Sequence, residues 1–189
     1  MTFFYNSKFL LISLLAIVLL TSCTKEDESS PLENSLVNVK LIGTQTQLSR
    51  FNLEILDVQL RVLEDETDPN AWLSLNAINT GIHDLTDFSG NQVITLVDFE
   101  QVPSKFIYNI KLVLGNENTL MKNGIEYIID IESEYDNASV NVLEKQLVEN
   151  KLYDFTIELN IDESVRFSSQ NEVILDPKMN TLMRLYNLF

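Results

Sequence analysis

Cysteine and histidine are almost missing from this sequence of 189 residues, which holds one of each, Cys23 and His83. A single thiol leaves no internal disulfide and no cysteine-built metal site. A single imidazole forbids a multi-histidine zinc centre. Glycine (5) and proline (4) are sparse, and there is no Gly-x-Ser-x-Gly elbow to expose a nucleophilic serine. Basic residues are few as well, 13 against 28 acidic, for a formal net charge of −15. A chain this acidic repels phosphate backbones and anionic headgroups, which excludes nucleic-acid binding. Stability must come from packing and hydrogen bonding.

The single cysteine sits in an informative place. Lys8 gives a sparse positive start, Phe9 to Leu20 forms a 12-residue apolar run, and Leu20-Thr21-Ser22-Cys23 closes it. This is the three-part layout of a secretory signal ending in a lipidation box. The run is shorter than the roughly 18 to 20 residues of a spanning helix. A short uncleaved anchor and a plain secretory signal with a free thiol are the alternatives. Lipidation at Cys23 would tether the chain through acyl chains, each buried CH₂ contributing about 0.8 kcal/mol. Cleavage would remove Lys8 and no acid, taking the charge from −15 to −16. The segment after Cys23, Thr24 to Ser30, is too polar to order itself by burial. Its Lys25-Glu26-Asp27 resembles the surface-export signal of Bacteroidetes lipoproteins, which implies an outer-membrane lipoprotein facing outward.

From residue 36 onward the dominant signal is alternation. Val37, Val39 and Leu41 alternate with polar residues, and so do Phe51, Leu53 and Ile55. The phase then moves to Val58, Leu60 and Val62, a change of parity that calls for a β-bulge near Leu56-Asp57. Asp68-Pro69-Asn70 and Ser89-Gly90-Asn91 read as turns. Phe106, Tyr108, Ile110, Leu112 and Leu114 are expected to share one apolar face, with Tyr108 and Phe155 in the core. Asn123-Gly124 reads as a two-residue hairpin turn with positive φ at both positions. Leu152 to Ile161 is the cleanest alternating strand, and Pro177 ends the segment Val173-Ile174-Leu175 or confines it to an edge. Val142 to Tyr153 could form a turn or two of helix. Eight to ten strands at regular spacing predict an all-β fold, an antiparallel β-sandwich in one domain. The expected organisation is a signal peptide (1–22), a lipidated cysteine with an acidic tether (23–35) and the sandwich (36–189).

Candidate chemistry is thin. Asp130, Glu132, Glu134 and Asp136 alternate along one strand and its exit, so they could offer oxygens to Ca²⁺. Their spacing of about 6.6 Å is wide for one ion, and a solvated acidic face is the simpler reading. Glu64-Asp65-Glu66 and Asp162-Glu163 lack the order of an EF-hand loop. His83 with Asp84 or Asp87 could supply part of a Ser-His-Asp triad, but a turn histidine is the commoner case. Trp72, Tyr108, Tyr127, Tyr135 and Tyr153 could stack on sugar rings if exposed; core or rim packing is commoner.

Three stretches resemble a family of secreted bacterial lipoprotein domains of unknown function. These are Ala71-Trp72-Leu73-Ser74-Leu75 with Asp84-Leu85-Thr86 and Gly90; Val102-Pro103 with Tyr108 to Leu114; and Phe155 to Ile161 with Ser164-Val165 and Val173 to Pro177. The chain departs from that pattern at Ile42-Gly43-Thr44, at Lys111 (usually arginine) and at Asp176 (usually lysine). The resemblance implies a transthyretin-like, Ig-like or carbohydrate-binding-like sandwich and carries over no catalytic residue. Fold alone does not give function. The expectation is a non-enzymatic surface binding or accessory domain with no cofactor. A glycan-binding module is the first alternative, and a structural or adhesin subunit with a protein partner the second.

Overall fold

The computed structural model describes residues 34–86, 93–131, 140–169 and 172–188. The leader with Leu20, Thr21, Ser22 and Cys23, the export residues Lys25, Glu26 and Asp27, and also Asp87, Gly90, Glu132, Glu134, Tyr135 and Asp136 lie outside them.

The strands in chain order are β1 (Asn34–Gly43), β2 (Arg50–Arg61), β3 (Trp72–Ser74), β4 (Gly81–Asp84), β5 (Ile94–Pro103), β6 (Phe106–Leu114) and β7 (Thr119–Lys122). There follow β8 (Ile125–Ile131), β9 (Val140–Gln146), β10 (Lys151–Leu159), β11 (Val165–Phe167), β12 (Val173–Leu175) and β13 (Met179–Asn187). One short helix, α1 (Ile161–Ser164), sits between β10 and β11. The strands form two sheets packed as a sandwich. The smaller has the order β13-β10-β1-β5 and the larger β11-β12-β8-β7-β2-β6-β9, with β3 and β4 also on β2. Most pairs are antiparallel, but β1 runs parallel to β10 and β12 parallel to β8.

The alternating pattern turns directly into the core. On β10 the side chains of Tyr153, Phe155, Ile157 and Leu159 are buried, and Asp154, Thr156 and Glu158 face away. Val37, Val39 and Leu41 of β1 join them from the same sheet. Phe51, Leu53, Ile55, Val58 and Leu60 of β2 and Ile107, Ile110 and Leu112 of β6 close the core from the other sheet. The parity change in β2 is a register shift between Ile55 and Asp57, which leaves Leu56 as the extra, exposed residue. Asn123 and Gly124 take φ of 53° and 78° and join β7 to β8 as expected.

Two local expectations are corrected, and one strand lies where none was expected. Val142 to Tyr153 is not helical: its first part extends β9 along β6, and its last part begins β10. Burial of Leu147 and Tyr153 in the sheet core outweighs the weak local helix preference. On β6 a second register shift, between Ile107 and Asn109, breaks the shared face. Ile107 is therefore buried, Phe106 is exposed, and Tyr108 is half-buried on the outside instead of in the core. The nine residues of β13, unforeseen in the sequence, pair with β10 along their whole length. Within Met179–Asn187 the sole β-branched residue is Thr181, so the segment gives little strand signal. Pro177 stops β12 at Leu175, but β12 lies inside its sheet between β11 and β8.

Candidate functional site

Where β10 ends and β13 begins, a polar cleft opens towards β9 of the opposite sheet. It has a volume of about 700 Å³ and is walled by Thr44, Asn141, Glu158, Asn160, Glu163, Asp176, Pro177, Lys178, Met179 and Asn180. Its floor is built by local chain logic. Asn160 is the N-cap of α1, its Oδ1 accepting from the Glu163 N–H at 3.3 Å, the usual role of asparagine at that position. The Thr44 hydroxyl accepts from the Ile161 N–H at 3.1 Å, so β1 holds the start of the same turn. Ser164, fully buried, ties α1 to the loop after β12. Its carbonyl accepts from the Asp176 N–H and its hydroxyl oxygen from the Lys178 N–H, both at 2.8 Å.

Asp176 is 8% exposed. Its Oδ2 is 2.7 Å from Lys178 Nζ, while Oδ1 has no hydrogen-bond partner. Asn141 Nδ2, across the cleft on β9, is likewise buried and unmatched among the described residues. Each such group costs on the order of 1–3 kcal/mol of desolvation. Five side-chain atoms are in this condition among the described residues, and two of them, on Asp176 and Asn141, belong to the walls of this cleft. The cleft walls thus hold one unmatched acceptor, Asp176 Oδ1, and one unmatched donor, Asn141 Nδ2.

The metal, triad and stacking candidates Asp130, His83, Asp84, Trp72, Tyr108, Tyr127 and Tyr153 fall elsewhere and do not converge. Asp130 is exposed on β8 opposite Ile174 of β12; its three acidic companions lie outside the described residues. Among the described residues no group of three metal-ligating side chains comes together. His83 sits on β4 with Nε2 3.0 Å from the Asn79 carbonyl oxygen. Asp84 Oδ1 accepts instead from the Thr86 N–H at 2.9 Å and the Thr86 hydroxyl at 2.7 Å. The two are neighbours on a strand, so their side chains leave on opposite faces, and the carboxylate that would orient the imidazole is spent on a turn.

Among the described residues the aromatic rings form no shared flat platform. Lys111 Nζ lies 4.1 Å from the centre of the Trp72 ring, and the Arg61 guanidinium 5.2 Å from that of Tyr108. Tyr127 meets Phe167 edge-on at 89°, and Tyr153 is buried beside Phe155. Burial beside Trp72 holds the Lys111 amine below the usual lysine range, a shift that the carboxylate of Asp57 partly opposes.

The cleft was not foreseen in the sequence. Asn160 with Glu163 three residues on is a legible helix-start signature. Nothing in the sequence, however, links that turn to Asn141 or to Asp176, which meet it only through sheet topology.

A family profile described as a domain of unknown function, DUF4382, matches residues 34–177. That match takes in most of the cleft and stops just before its Lys178–Asn180 wall. No curated protein matches the chain. Among solved structures the chain is similar to one titled as a "putative cell adhesion protein" from Parabacteroides distasonis. The identity is 10% and the TM-score 0.37, over 82% of this chain and 52% of the other. This chain therefore spans about half the length of that protein.

Proposed function

We propose a function for this chain, which belongs to the DUF4382 family of domains of unknown function: it is a lipid-tethered, surface-facing outer-membrane domain that binds and does not catalyse. The tether is assigned to Cys23 at the end of Leu20-Thr21-Ser22, and outward export to Lys25, Glu26 and Asp27. The observation that carries the binding reading is the polar cleft with its unmatched Asp176 Oδ1 and Asn141 Nδ2. A binding role also agrees with the sole histidine being held at a backbone carbonyl, away from the cleft walls. The anchor is tested by Cys23→Ala, which should move the protein from the membrane to the soluble fraction and abolish acyl labelling. Unchanged fractionation would defeat the tether. Replacing Lys25, Glu26 and Asp27 with alanine should keep the lipid but end cleavage of the protein by protease added to whole cells.

A second reading, a structural or adhesin subunit, is favoured by β13. This nine-residue edge strand contains no proline and leaves Leu182, Leu185 and Tyr186 exposed. Proteins commonly blunt long edges of this kind with charge, proline or a bulge.

A further inference from the structure

The chemistry of the cleft walls identifies a ligand class. This step rests on the binding reading above and narrows it. Among the described residues apolar contact comes from Pro177 and Met179, and no aromatic ring lines the cleft. A site so polar does not suit a lipid or an aromatic ligand, which need mostly apolar walls. Its charged groups are Glu158, Glu163, Asp176 and Lys178. Lys178 is engaged with Asp176 at 2.7 Å, and among the described residues neither glutamate has an ion-pair partner, in a chain of net charge −15. Phosphate, sulfate and uronate groups are therefore repelled.

What the walls offer is a mixed set of hydrogen-bond partners. Asp176 Oδ1 is an acceptor fixed by the lysine on its other oxygen, and Asn141 Nδ2 is an unmatched donor. Glu158 adds acceptors, and the amides of Asn160 and Asn180 add both kinds. A ligand whose groups donate and accept at adjacent positions fits such a set, and vicinal hydroxyls do so. We propose that this cleft binds a short uncharged saccharide, with Asp176, Glu158 and Asn141 as its principal hydrogen-bond partners. Pro177 and Met179 would meet the C–H face of a ring. The volume of about 700 Å³ falls within the roughly 300–1,000 Å³ of small-ligand sites. Trp72 and Tyr108, each already covered by a cation, take no part.

The test uses the full chain, extracted in a detergent without a sugar headgroup. It is applied to an array of neutral, sulfated and uronate oligosaccharides, and to a hexalysine peptide as a cationic control. Calorimetry with the best neutral disaccharide follows. The expected result is saturable binding to at least one neutral glycan. Affinity should fall about tenfold or more in Glu158→Gln and Asn141→Ala, as for loss of a hydrogen bond to a charged or buried group. Trp72→Ala should stay within about twofold of the parent. Asp176→Asn should behave like Glu158→Gln where its circular dichroism matches the parent; the other two variants decide the matter if it does not fold. No glycan bound, binding restricted to sulfated or uronate glycans, or affinity unchanged in both Glu158→Gln and Asn141→Ala would overturn the proposal. Hexalysine bound in place of sugar would overturn the ligand class and leave the binding reading standing. The Cys23→Ala fractionation is independent of all these results.

Discussion

Lys111 shows how one side chain can carry opposing terms. It lies over the Trp72 ring on the outer face of the large sheet, where partial burial disfavours its charged form and Asp57 favours it. Burial is the larger influence, so the folded protein releases this proton at a lower pH than the unfolded chain, whose lysine titrates near 10.5. Between the lowered value and 10.5 the unfolded state binds more protons, so stability rises with pH through that interval and the penalty is fully present below it. Asp57→Asn removes the term that opposes burial. It should push the Lys111 titration further down, read by NMR of the lysine side chain, whereas no movement or an upward one would refute the assignment. The sequence placed Tyr108 in the core and left Trp72 open between packing and stacking. That the two rings meet Arg61 and Lys111 was not legible, because Arg61 meets Trp72 and Asn109 only through the register of β2 with β3 and β6.

At the scale of elements, close approach matters more than turn formation at the end of β1. A Cβ added at Gly43 would lie 2.7 Å from the Leu85 carbonyl oxygen and 2.9 Å from Ile161 Cδ1, one of them backbone. Gly43→Ala should therefore destabilise the protein by about 1–3 kcal/mol, as overpacking does, measured as a lower urea midpoint. Gly124→Ala has open space around it and is penalised by its φ of 78° alone, about 1 kcal/mol. Equal effects would contradict the packing account. The edge strand makes a different prediction. If β13 pairs copies of the chain on a membrane, Leu182→Lys should abolish chemical cross-linking between them, while the urea midpoint moves little, as for most exposed sites. Cross-linking that survives the change would remove the edge from the account. Legibility followed chemistry here. β10, with Tyr153, Phe155, Ile157 and Leu159 alternating against polar residues, announced itself, and so did the bulge in β2. β13 did not, since Met179, Met183 and Leu185 carry no strand preference and its place is set by nine pairings to β10. The helical reading of Val142 to Tyr153 failed for the same reason, because long-range pairing with β6 decided it.

For the whole molecule, the sandwich supplies a core drawn from both sheets with no disulfide, as the single cysteine requires. Its fold class could be read from strand spacing, because alternation is a local property. The cleft could not, because Thr44, Asn141, Asn160 and Asp176 come from four separate stretches joined by topology. The strong negative charge adds no attraction to an anionic surface, which is compatible with the tether proposed at Cys23. Everything about where this domain works depends on the chemistry at one sulfur. Intact-mass analysis of the protein extracted from native membranes tests it most directly. The account predicts a chain beginning at Cys23 and carrying a diacylglyceryl group. A chain retaining residues 1–22, or one beginning at Cys23 with an unmodified thiol, would contradict it.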